Sequence, residues 1–173
     1  MNLLEDLSER TLARVAARVQ AARRPGDLVV ASLHWGGNWG YGIPPERRHF
    51  AQALIERAAV DVVHGHSSHH ALGIEIHRGK PILYGCGDFI NDYEGISGYE
   101  EFRSDLTVMY LPTLSASSGD LVDLRLVPFR MGKFRLNRAA REDAIWLRDT
   151  LDRESSKFGT RVALDEDGTL TVL

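Results

Sequence analysis

Apolar positions along the chain follow two rhythms, a helical spacing of three and four residues and the shorter runs that suit strands. In LSERTLARVAARVQAARR, Leu12, Val15, Val19 and Ala22 recur at helical spacing among Arg and Gln residues, and Pro25-Gly26 ends the pattern. LVVASL, Leu28 to Leu33, is a continuous β-prone run and predicts a strand buried on both faces. HWGGNWGYGIPP is a loop by its glycines and prolines, after which ERRHFAQALIERA sets Phe50, Leu54 and Ile55 on one helical face. VDVVHG predicts a second buried strand. Helix, strand, loop, helix, strand is the grammar of a right-handed βαβ crossover, so the strands near Leu28 and Val60 are expected to run parallel and end at one edge.

The second part of the chain changes rhythm. IEIH and PILY flank the turn residues Arg78, Gly79 and Lys80, and TVMYLPTL and LVDLRLVPF flank SASSGD, so two antiparallel hairpins are expected. NRAAREDAIWLRDTLDRESSKFG predicts a helix with Asn137 as N-cap, a stripe of Ala140, Ala144, Leu147 and Leu151, and Gly159 as its stop. VALDEDGTLTVL reads as a small hairpin around Asp167-Gly168. The expected fold class is α/β in the α+β sense: a parallel βαβ core, antiparallel hairpins, then a C-terminal helix. No repeat or linker divides residues 1–173, which read as a single unit.

Composition narrows the function classes. With 173 residues, 43% of them hydrophobic, a core is within reach, and the net charge of −3 with no sustained basic patch argues against nucleic acid and against a polybasic membrane contact. MNLLEDLSER is polar and acidic, and no window approaches the roughly 18 apolar residues of a membrane span, so the chain as given reads as cytoplasmic. Cys86 is alone, which excludes an intramolecular disulfide and a Cys-rich zinc site; between two glycines it reads as a small buried residue.

VHGHSSHH, Val63 to His70, holds four of the seven histidines. His34 follows the first strand and His66 the second, and sites in open α/β sheets form beyond the carboxyl ends of strands. His66 and His69, three apart in a Gly-Ser-Ser loop, can turn toward one centre shared with His34, and neutral imidazole suits Zn, Mn, Fe or Ni. The alternative is a harmless polar loop, and the residues alone leave both readings standing. His64 and His70 read as groups behind the ligands or facing solvent, His49 and His77 as structural. Trp35, Trp39 and Tyr41 read as aromatic anchors of their loop, with Asn38 offering an amide to a ligand. Asn91 to Asp105 is placed as a substrate loop, where Arg103 is expected to pair with its acidic neighbours Glu100, Glu101 and Asp105.

SLHWGGNWGY, VDVVHGHSSHH and GIEIHRGKPILYGCGDFIND, in this order and spacing, resemble the second half of the CapA family of capsule or poly-gamma-glutamate biosynthesis proteins, over about residues 7–129. Residues 105–173 then supply the C-terminal hairpin, helix and tail. The resemblance implies part of a calcineurin-like metallophosphoesterase sandwich, with His34, His66 and His69 near a divalent metal (Mn, Fe or Zn). It implies Asp88, in place of an asparagine, as a residue behind the ligands, and Glu75 and Tyr84 as sheet residues of the same region. The implied substrate is an anionic polymer or a phosphoester. The family's first half supplies a strand-end aspartate and an Asn-His motif, and nothing before Leu28 contains either. Two expectations follow. One is a metal-dependent hydrolase using the three histidines; the other is a degenerate, non-catalytic binding or accessory module. In either case the uncovered sheet edges predict a homo-oligomer or a missing N-terminal half as partner, and the family is often membrane-anchored or exported.

Overall fold

A computed structural model describes residues 3–91 and 97–173. Helix α1 (Glu9–Ala22) begins at Ser8, whose side chain accepts the Thr11 N–H, and buries Leu12 with Val15 packed beside it. Strand β1 (Val30–His34) leads through the glycine-rich loop to α2 (Pro45–Ala58), which starts on proline, as first helical turns tolerate, and buries Phe50, Ala51 and Leu54. Strand β2 (Val62–His66) follows, running parallel to β1 in the expected crossover. Buried Asp61 pins the start of both strands, accepting the Val29 N–H at 2.9 Å and Lys80 Nζ at 2.9 Å.

Strands β3 (Ile74–His77) and β4 (Lys80–Leu83) form the first hairpin, and β4 pairs with β2 in parallel, giving the order β1-β2-β4-β3. The hairpin turns on two residues, Arg78 and Gly79, both at positive φ; Lys80 already belongs to the strand. A short 3-10 turn, Glu100–Phe102, precedes the second sheet. There β5 (Leu106–Leu114) and β6 (Leu121–Gly132) make the long hairpin, β7 (Arg135–Arg138) adds to β6, and the tail strands β8 (Val162–Leu164) and β9 (Leu170–Val172) complete the order β5-β6-β9-β8. Helix α3 (Arg141–Ser156) lies between β7 and β8 in sequence.

Two cores result. One joins α1 and α2 to one face of the first sheet through Val63, Ile82 and Tyr84; the other joins its opposite face, Ile74 and Leu83, to Leu124, Leu126 and Leu170 of the second sheet and to Leu147 and Leu151 of α3. The α+β class therefore holds, with both sheets and the parallel βαβ core as expected.

Three details differ from the expectation. The first strand is not buried on both faces: β1 is an edge strand whose exposed and half-buried residues alternate, and Val30 is 58% exposed. An apolar run reports β preference, and among the described residues nothing covers one of its faces. Asn137 is not a helix cap, because residues 135–138 turn back on β6 through Lys133 and Phe134, both at positive φ, and Ala140 takes the N-cap position. The helix ends at Ser156, three residues before Gly159, whose φ of 82° serves the turn that follows.

Candidate functional site

The parallel register sets Ser32 beside His64 and His34 beside His66. Residues two apart on a strand share a face, so all four side chains stand on the side of the first sheet turned away from α1 and α2. The His34 and His66 rings are 5.3 Å apart edge to face, His64 and His66 are 5.6 Å apart, and Ser32 Oγ lies 3.0 Å from His64 Nδ1. Burial, aided by the neighbouring His66 imidazole, holds the His64 pKa below its ordinary value and favours the neutral ring. Gly65 between them is required for space: a Cβ there would fall against the Tyr84 carbonyl oxygen and Trp35 Nε1.

The loop that leaves β1 is tied down at several points. The Trp35 N–H donates to the His66 carbonyl at 3.2 Å, its indole N–H donates to the Tyr84 carbonyl at 3.0 Å, and Ser67 Oγ donates to the Trp35 carbonyl at 2.5 Å. Tyr84 itself is fixed from below. Its hydroxyl donates to Glu75 at 2.6 Å, and buried Glu75 also receives Arg48 Nη2 at 3.0 Å and Gln52 Nε2 at 2.7 Å. Burial alone would raise the Glu75 pKa, but the hydrogen bonds from Arg48, Tyr84 and Gln52 outweigh it and hold the carboxyl below its ordinary value. Glu75 and Tyr84 are thus a buried support for the loop.

His69 stands apart from that group. Its Nδ1 is 2.8 Å from Asp88 Oδ2, which Asn91 Nδ2 also approaches at 3.2 Å, and its backbone N–H donates to the Asn38 carbonyl at 3.0 Å. Asn38 acts here through its backbone, with an exposed side chain. His70 is enclosed: it is 2% exposed, stacked by Phe102 at 4.7 Å, met edge-on by Tyr41 at 4.8 Å and flanked by Trp39 at 5.9 Å, and burial lowers its pKa. Tyr99 stacks on Trp39 at 4.3 Å. The aromatic loop is therefore an anchor, as its composition suggests. Its partners Tyr99 and Phe102 carry no sequence signal that ties them to Trp39, since they come from the acidic segment 60 residues on.

Arg103 is bound to Asp105 at 2.8 Å and to buried Asp143 at 2.7 Å, so it clamps the segment to α3. Residues 92–96 of the expected substrate loop lie outside the described residues. His77 pairs with Glu56 at 2.8 Å in a structural role; Cys86 is half-buried where its glycine neighbours predict a buried residue, and burial pushes its thiol up to about 12, which does not suit a nucleophile.

Side chains rising from a sheet face run alongside one another, and this limits what the histidines can do. Among the described residues, no three of His, Cys, Asp and Glu converge closely enough to hold a metal ion. The fold brings His34, His66 and His64 together and pairs His69 with Asp88. No helix among the described residues is long and apolar enough to cross a membrane.

Comparison with known proteins matches residues 2–93 to the family model described as bacterial capsule synthesis protein PGA_cap. A "probable polyglutamine synthesis accessory protein" of Mycobacterium tuberculosis is 51% identical over 172 residues, covering 99% of this chain and 45% of that protein. The PGA biosynthesis protein CapA of Bacillus subtilis is 29% identical over 92 residues, 53% of this chain and 23% of its own length. The capsule biosynthesis protein CapA of Bacillus anthracis is 27% identical over 84 residues, 49% of this chain and 19% of its own. The chain spans less than half the length of these relatives.

Proposed function

The chain belongs to the bacterial capsule synthesis family PGA_cap, and on that premise we propose that it serves as an accessory component in making a capsule or poly-glutamate polymer, with the histidine face of its first sheet contacting the anionic polymer. The observation that carries this reading is the in-register pair His34 and His66, with His64 beside it on an open sheet face. Imidazole N–H groups can donate to the carboxylates of such a chain. The described donors do not by themselves fit a resident divalent ion. Binding of poly-glutamate to the purified chain, followed by calorimetry, is expected to weaken at least ten-fold in the His34→Ala, His66→Ala double variant. Equal binding in both proteins refutes the polymer contact.

A second reading, a metal-dependent hydrolase of phosphoesterase type, is favoured by one contact. Asp88 engages His69 Nδ1 and so fixes the ring's orientation, in the way carboxylates commonly orient metal-ligating histidines. In this reading His34, His66 and His69 give imidazoles to Mn, Fe or Zn, and further donors come from polypeptide outside residues 1–173. Metal analysis of the chain and of His66→Ala, expressed with all three metals and dialysed, separates the readings. Near-stoichiometric metal that is lost in the variant supports the hydrolase, and metal in neither protein supports the accessory role.

A further inference from the structure

The net charge of −3 hides an uneven distribution. Residues 124–141, LRLVPFRMGKFRLNRAAR, hold six Arg and Lys side chains and no Asp or Glu, bounded by Asp123 and Glu142. The expectation of no sustained basic patch fails here. The fold turns this run back on itself as the body of β6, the Lys133-Phe134 turn, β7 and the first residue of α3. Two of the cations are taken up by carboxylates: Arg125 lies 3.4 Å from Asp167 and Arg130 lies 3.2 Å from Asp105. Lys133, Arg135 and Arg141 are exposed and form no ion pair among the described residues. Arg138, also exposed, meets the Asp167 carbonyl at 3.4 Å and the face of Phe129 at 5.8 Å.

The tip of this hairpin adds an apolar side chain to the charge. Phe134 is 67% exposed and stands between Lys133 and Arg135 in sequence. Both turn residues sit at positive φ, 52° and 56°, where a two-residue turn favours Asn-Gly. Neither Lys nor Phe relaxes that conformation, so the turn keeps their side chains at a conformational cost, and strain of this kind is a pointer to function. Met131 and Leu136, paired across the hairpin just behind the tip, are half-buried and extend its apolar end.

We infer that the β6–β7 hairpin docks on an anionic lipid surface, with Phe134 entering the boundary between headgroups and acyl chains and Lys133 and Arg135 meeting headgroup phosphates. Arg138 lies three strand residues behind Arg135, about 10 Å, which is still about one Debye length at 0.1 M salt. A flexible carboxylate polymer would answer the charge but offers no apolar layer to the phenyl ring, which makes it the poorer occupant. The attachment is reversible, since it rests on a few cations and one ring and not on a spanning helix. This hairpin belongs to the second sheet and the histidines to the first, so neither proposal depends on the other.

The test is flotation of the chain with vesicles of phosphatidylcholine, alone or mixed with phosphatidylglycerol. The chain is expected to float with the anionic vesicles, not with the neutral ones, and to be released by about 0.5 M NaCl. The Lys133→Asn, Phe134→Gly double variant puts the relaxed turn in place of the strained one. It is expected to melt no lower than wild type and yet to bind about ten-fold more weakly, a combination that a merely structural turn would not give. Should that variant melt lower, the exposed-site change Lys133→Ser, Arg135→Ser decides instead, with the same loss of binding expected. The inference is overturned if wild type stays behind from anionic vesicles, if it floats equally with neutral ones, or if both variants bind as wild type does. It is likewise overturned if the hairpin variants lose binding to poly-glutamate while keeping the vesicles, which assigns the cations to polymer.

Discussion

Replacing Glu75 by leucine tests the idea that a buried carboxylate supports the loop at the sheet's open face. Glu75 is 3% exposed and takes bonds from Arg48, Gln52 and Tyr84. Removing one partner of a buried ion pair costs about 3–5 kcal/mol. The Arg48 side chain is 40% exposed and regains water, which moves the cost to the low end, while the buried Tyr84 hydroxyl loses its acceptor, about 1–3 kcal/mol on its own. A net loss of about 3 kcal/mol is expected, seen in urea melts at pH 7 and as a fall in Tm of about 6–12 °C for a chain of this size. The sign of the pH dependence follows from the lowered folded pKa. Unfolded, the carboxyl titrates near 4.5, so its contribution is complete above that value and fades as pH falls through the folded pKa. The gap between wild type and variant should therefore narrow below about pH 4. A loss under about 1 kcal/mol, or a gap constant from neutral to acid pH, refutes the reasoning.

Two further outcomes are expected. Gly65→Ala forces a Cβ onto the Tyr84 carbonyl and Trp35 Nε1, and backbone there has little room to give; it should cost at least the ~1–3 kcal/mol of an overpacked site and shift Trp fluorescence in the folded state, and a melt identical to wild type would count against the close approach. Cys86, with its thiol pushed up to about 12 by burial, should resist iodoacetamide at pH 8 in the folded chain and react once urea unfolds it, as mass spectrometry reports; rapid native labelling would mean the site opens.

The architecture was legible wherever a local pattern carried it. Periodicity predicts α1, α2 and the α3 stripe from Ala144 through Leu147 to Leu151, with Ala140 instead exposed at the N-cap, and the crossover rule makes β1 and β2 parallel, which in turn brings His34 beside His66. LVVASL predicts burial on both faces of β1, whereas such a run reports β preference and not what lies on the far side of the strand. Strand β7 has no local signal, because its turn, Lys133-Phe134, lacks the Asn-Gly or Asp-Gly residues that usually mark positive φ. Tyr99 and Phe102 were hidden for another reason: their stacking on Trp39 and His70 is a long-range contact that no spacing in the chain encodes.

The pairing of His34 with His66 comes from adjacent parallel strands, so their separation is set by the ladder's hydrogen bonds and not by the loops. Everything between the two positions, the aromatic loop and α2 included, is a detour that leaves from and returns to fixed points. Such a detour tolerates insertion and exchange at its exposed tip without moving either ring, because lengthening a loop costs little and registers no change in the sheet. A slip of one residue between β1 and β2 has the opposite effect. It would turn the imidazoles of one strand toward the apolar face under α2. The face is thus robust to variation in length and intolerant of error in alignment, a division of labour that makes this sheet a stable frame on which different loops can be tried.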